Sequence, residues 1–159
     1  MALRNILKDN DTTLTKPSRL VTNFDKRLHI LLDDMRETLA DANGAGLAAP
    51  QVGVLRRACI VDVGDEDGVI ELVNPEIIAT EGIQDGPEGC LSIPGMTGMV
   101  ERPMRVTVKA QNRNGESFEV SGEELKARAF CHEIDHLDGK LYTELVSRYL
   151  TEEEKEALA

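Results

Sequence analysis

The chain has 159 residues, 41% hydrophobic and 30% charged, a composition that folds as a globular protein without disulfide staples. Its net charge of −11 at pH 7 argues against a nucleic-acid or anionic-membrane surface, because both reward Lys and Arg. No apolar run approaches membrane-span length, the N-terminus lacks the hydrophobic region of a secretory signal, and three cysteines at unrelated spacings fit a reducing cytoplasm.

One domain over 1–159 is expected, with a core of Leu, Ile, Val, Ala and Met, since aromatics are only 3% and Trp is absent. Residues 1–20 read as an extended arm through Lys16-Pro17. An amphipathic helix follows from 22 to about 41: Phe24, Leu28, Leu31, Leu32, Met35 and Leu39 recur at helical spacing, and Thr22-x-x-Asp25 can cap it. Asn43-Gly44-Ala45-Gly46 ends it, because paired glycines take backbone angles a helix does not.

The pattern then changes to short strands, at 57–63 and, past the Asp65-Glu66-Asp67-Gly68 turn, at 69–73. Strands at 104–111 and 117–120 are joined across Asn112-Arg113-Asn114-Gly115, an Asn-Gly hairpin signal. Pro87, Pro94 and Pro103 punctuate loops between them. Ser121-x-x-Glu124 reads as the capping box of a second long helix, whose inward stripe is Leu125, Ala129, His132 and His136. Gly139 stops that helix, and 151–159 can form a last, acidic one. The expected class is α+β, with antiparallel sheets surrounding the central helix.

That helix carries His132-Glu133-Ile134-Asp135-His136, an H-E-x-x-H pattern using two of the three histidines. Positions i and i+4 share one helix face, so both imidazoles can reach one metal ion while Glu133 handles protons beside it. A third ligand from downstream is one reading: no His follows Gly139, but Glu156 lies at a separation a zinc endopeptidase could use. Glu156 sits in a charged run at the chain end, the composition of a solvated face. Upstream, Cys90 lies among glycines and prolines in Glu88-Gly89-Cys90-Leu91-Ser92, where backbone and side chain can approach an ion. Cys59 fits a small buried strand residue, and Cys131 points about 100° round the helix from His132. A closed structural metal module is the non-enzymatic alternative, although such a site has no use for Glu133.

Gly44-Ala45-Gly46-Leu47-Ala48-Ala49-Pro50-Gln51, Glu88-Gly89-Cys90-Leu91-Ser92 and His132-Glu133-Ile134-Asp135-His136 together resemble, in order and spacing, the three motifs of bacterial peptide deformylases. The resemblance implies hydrolysis of the formyl group from the N-terminal formyl-methionine of newly made polypeptides. It implies one divalent metal on Cys90, His132 and His136, Fe(II) in the cell with zinc, nickel or cobalt able to replace it. An open fourth position would hold the attacking water as hydroxide. Glu133 would be general base and acid, and the Gln51 side chain with the Leu91 N–H would donate to the oxyanion.

Gly44, Ala45, Gly46, Glu88 and Gly89 would bind the peptide as an added strand, and Leu125 and Ala129 would line the methionine pocket. Arg102 is expected to brace Glu88, and Asp135 to orient a ligand imidazole. The implied partners are N-formyl-methionyl nascent polypeptides, met at the ribosome in the cytoplasm. Ala45 stands where a larger aliphatic is common in the family, and Cys131 where glutamine is common. The acidic residues 151–159 replace an often basic C-terminal helix, which argues against docking on ribosomal RNA through that end.

Overall fold

The structure, a computed structural model, describes residues 2–158; Met1 and Ala159, the outer ends of the expected arm and last helix, lie outside the described residues. Antiparallel pairing joins eight strands into two sheets. The larger has the order β1 (Gly46–Ala48), β2 (Ala58–Val61), β3 (Ile70–Glu81), β6 (Arg105–Gln111), β7 (Ser117–Glu123). The smaller is β4 (Gln84–Cys90), β5 (Ile93–Arg102), β8 (Arg148–Tyr149). Helix α1 spans Lys26–Ala42, α2 Leu125–Leu137 and α3 Glu152–Ala157. The expected α+β class with a central H-E-x-x-H helix is what the chain forms, and among the described residues no helix is long and apolar enough to cross a membrane.

Side-chain alternation on β1 and β2 explains why the sheet needs cover on both faces. Leu47, Ala58 and Ile60 join the cluster built on Leu28, Leu31, Leu32, Met35 and Leu39 of α1. Their neighbours Ala48, Cys59 and Val61 join the cluster of Ala127, Phe130, Ile134 and Leu137 of α2. With period-two geometry, one apolar run thus serves two helices, and all four β2 residues are buried.

Helix α1 starts later than its periodicity suggests. Asp25, not Thr22, is the cap: its side chain accepts from the Leu28 N–H, and Thr22 and Phe24 precede the helix. Asn43 closes α1 in the left-handed region, at φ 55°. The N-terminal arm lies against α1, with Arg4 and the Ala2 N–H on buried Asp34 and a short 3₁₀ turn over Thr12–Thr15 that buries Leu14.

Across the sheet, Glu71 accepts from Arg36 of α1 and from Arg113 in the β6–β7 turn. Burial alone would raise the Glu71 pKa, but these hydrogen bonds outweigh it and hold it below the ordinary 4.5. A depressed carboxylate pKa stabilises the fold above the unfolded-state value, and this contribution disappears as pH falls through the folded-state value. Urea melts of Glu71→Gln against the parent should therefore show a stability gap that is full at neutral pH and narrows below about pH 4. A gap unchanged in acid would refute the assignment.

Two sequence expectations fail here. Pro87 and Pro94 lie within β4 and β5, not in loops; β4 is an edge strand, where a residue without an N–H is tolerated. Ser121 is not a helix cap either: it belongs to β7, and its hydroxyl pairs with Thr107 across the ladder at 2.8 Å. The residue that turns the chain into α2 is Glu124, at φ 54° and ψ −122°, with no side-chain cap. That conformation is strained for a side chain bearing a Cβ. Glu124→Gly should stabilise the protein by about 1 kcal/mol, seen as a melting temperature roughly 2–4 °C higher; a lower melting temperature would contradict the strain.

Candidate active site

Strand β4 and helix α2 bring the three metal-capable side chains together. A register shift between Glu88 and Cys90 bends the end of β4, and Leu91-Ser92 turns the chain into β5. The Cys90 Sγ thereby comes 3.4 Å from His136 Nε2, which is 3.2 Å from His132 Nε2. The Cys90, His132 and His136 ligand atoms all lie within 4.8 Å of one another. Cys131 and Cys59 stay outside this group, each buried in the α2 core cluster. Glu156 is exposed on α3 and belongs to no metal-capable group among the described residues.

Each histidine is prepared for this geometry. His132 Nδ1 lies 2.7 Å from Glu88 Oε2; a carboxylate only accepts, so Nδ1 carries a proton, and in the neutral ring this tautomer would turn the Nε2 lone pair to an ion. Burial and the neighbouring His132 press the His136 pKa down to about 3. Burial would raise Glu88, yet hydrogen bonds from His132 and Arg102 bring it to about 2.

The orienting partner of the imidazole is thus Glu88, not Asp135. Asp135 pairs with Arg102 at 2.8 Å and reaches the ring only through Arg102 and Glu88. The brace between Arg102 and Glu88 is present and bidentate, at 3.0 and 2.6 Å, with both side chains buried.

Arg128 was not singled out from the sequence. It donates to Glu88 at 3.0 Å and to the Val100 carbonyl at 2.9 Å, and it lines the same cavity. Its position three residues after Leu125 and four before His132 is the signal that could have found it, since that spacing shares a helix face.

Gln51 sits in a 3₁₀ turn over Ala49–Val52 and is buried. Its Oε1 accepts from the Ala48 N–H at 2.9 Å, which points Nε2 at Ser92 Oγ (3.1 Å) and Cys90 Sγ (3.6 Å). Glu133 is buried with Oε1 unpartnered, and burial raises its pKa to about 7. Its carboxylate rests on β1 where Gly46 has no side chain: a Cβ there would fall 2.6 Å from Glu133 Oε2.

A cavity of about 320 Å³ opens beside these groups. Gly44, Ala45 and Gly46 form one wall, and Glu88, Gly89, Cys90 and Leu91 another. Leu125 and Ala129 of α2 complete it, with Leu125 half-exposed at the mouth and Ala129 buried. Glu88 lines the cavity too, while its carboxylate is held by Arg102, Arg128 and His132. β1 and β4, on opposite walls, are both edge strands.

Clustered Cys and His donors beside a buried glutamate are the equipment of a hydrolase that works through one metal ion. The family model described as polypeptide deformylase matches residues 3–152. A peptide deformylase of Acetivibrio thermocellus is 57% identical over 98% of this chain and 91% of its own length. The crystal structure of a peptide deformylase from Legionella pneumophila superposes with a TM-score of 0.87 at 43% identity, covering 98% of this chain and 90% of that one. A Met-Ala-Ser-bound class I type b peptide deformylase from Acinetobacter baumannii gives 0.85 at 33% identity, covering 91% and 98%. The chain belongs to the polypeptide deformylase family, and is an enzyme of that metal-dependent, hydrolytic kind.

Proposed function

We propose that this enzyme hydrolyses the N-formyl group from the N-terminal formyl-methionine of newly made polypeptides in the cytoplasm, releasing formate. The reading is carried by one observation: the Cys90, His132 and His136 donor atoms converge within 4.8 Å of one another in a chain of the deformylase family. One thiolate and two neutral imidazoles fit a single divalent ion with a position left open, and Fe(II) is our reading, with zinc, nickel or cobalt as substitutes. When bound, the ion supplies Lewis acidity and an activated water.

The chain's own residues do the rest. Glu133, held off water and near pKa 7, takes a proton at its carboxylate and returns it to the leaving amine. The Gln51 amide, fixed by the Ala48 N–H, and the Leu91 N–H donate to the oxygen that gains charge in the transition state. The β1 edge with Gly44 and Ala45, and the β4 edge at Gly89, receive the peptide main chain as an added strand. Leu125 and Ala129 take the methionine side chain, while Arg102, Arg128 and Asp135 keep Glu88 on His132.

The test is formate release from formyl-Met-Ala-Ser by anaerobically prepared, Fe(II)-loaded protein. Formate must appear, and Cys90→Ala must abolish it; silence from the intact enzyme would sink the reading.

A further inference from the structure

The arginines divide into two groups. Of 11 in the sequence, Arg4, Arg36, Arg57, Arg102, Arg105, Arg113, Arg128 and Arg148 each pair with a carboxylate. Among the described residues no carboxylate pairs with Arg19, Arg27 or Arg56, although the chain holds 29 acidic residues against 18 basic ones. These three are neighbours. Arg19 and Arg56 line one cavity of about 310 Å³; Arg27 and Arg56 line another of about 140 Å³. Neither wall contains an acidic side chain, and neither shares a residue with the catalytic cavity.

Their closeness is built into the backbone. The Arg19 N–H donates to the Leu55 carbonyl at 3.0 Å, and the Arg57 N–H to the Arg19 carbonyl at 2.8 Å, so residues 19 and 56 pair in a bridge. The nearby acids are engaged: Asp25 caps α1, and Asp34 holds Arg4 and the Ala2 N–H. Like charges fixed side by side in an acidic protein repel one another until an anion lies between them.

We propose that Arg19, Arg27 and Arg56 form a binding site for the phosphodiester backbone of single-stranded RNA. Guanidinium forks match phosphate oxygens two at a time, and two adjoining seats that share Arg56 suit a repeating anion better than a single one. A single strand also carries the lower charge density, which a chain at −11 tolerates better than a duplex. Thr22 and Asn23 offer hydrogen bonds to a ribose 2′-OH, and Leu20, 67% exposed, gives the larger cavity an apolar ledge for a base. The whole-chain charge, which pointed away from nucleic acid, averages over this patch.

The site is independent of the substrate assigned above, and its test reads binding alone. Fluorescence anisotropy of a short labelled RNA titrated with the full chain should show binding that weakens with salt, with a log–log slope of about −2, as three neutralised phosphates imply. Arg19→Gln/Arg56→Gln should bind about tenfold more weakly, while Lys109→Gln/Lys140→Gln, with the same net charge, stays near the parent. Formate release from a tripeptide should be unchanged in the arginine variant. Equal losses in both variants, equal affinity for a mononucleotide or a deoxy strand, or capture by phosphatidylserine vesicles and not by RNA would each overturn the proposal.

Discussion

Glu133→Ala should lose formate release by a factor on the order of 10²–10⁴ while the protein still binds its metal. The ligand atoms belong to Cys90, His132 and His136, so removing the carboxylate leaves the donor set intact. The carboxylate is buried beside Gly46 and has no partner for Oε1 among the described residues, so in the proton-carrying role proposed above it would have no competing hydrogen bond there to break. Metal content by elemental analysis and turnover on formyl-Met-Ala-Ser separate the two roles. Joint loss of metal and activity would mean that Glu133 acts on the fold or the donor set, not on protons. Glu133→Gln, which keeps the shape, should be nearly as inactive, and substantial activity in it would also reject the role.

The second large effect is on Glu88. This carboxylate receives Arg102, Arg128 and the His132 Nδ1–H, with both arginine side chains buried. Its truncation leaves buried Arg128 with no carboxylate and buried Arg102 with Asp135 alone, and breaking a buried pair in this way costs about 3–5 kcal/mol. Glu88→Ala should therefore unfold at much lower urea concentration. Glu88→Gln, which preserves shape and can still accept from His132, should fold but bind zinc about 10–100-fold more weakly in a chelator competition, because the imidazole loses its anionic anchor. Unchanged zinc affinity in the folded glutamine variant would show that the anchor does not tune the site.

Much of this arrangement was legible in the residues. The spacing of His132 and His136 placed both rings on one helix face, and the glycine-rich segments at 44–46 and 88–90 marked where backbone approaches the site. The apolar run of β2 was readable as a strand, though not its service to two helices. Strands β4 and β5 were not legible, because Gly86, Pro87, Gly89, Pro94 and Gly95 imitate loop composition; only pairing with each other, a non-local interaction, makes them strands. The Ser121 capping box failed for a related reason, since the β6–β7 ladder claims Ser121 before the helix begins. The expectation that Asp135 orients a ligand imidazole rests on sequence proximity, which is a poor guide to the contact that His132 makes with strand β4, 44 positions away. Arg128 carried no motif at all; its role exists only because α2 faces the end of β4.

The two open strand edges beside the cavity have a consequence for solubility. An unpaired edge invites a second copy of the same protein as readily as a peptide, and long flat edges seed aggregation. Here β1 is only three residues long, and β4 carries Pro87, which has no N–H to offer a ladder. A continuous edge-to-edge ladder between copies is therefore interrupted before it can lengthen, whereas the added strand proposed above would need only a few residues. The same glycines and proline that hid β4 from the sequence thus protect the protein from itself.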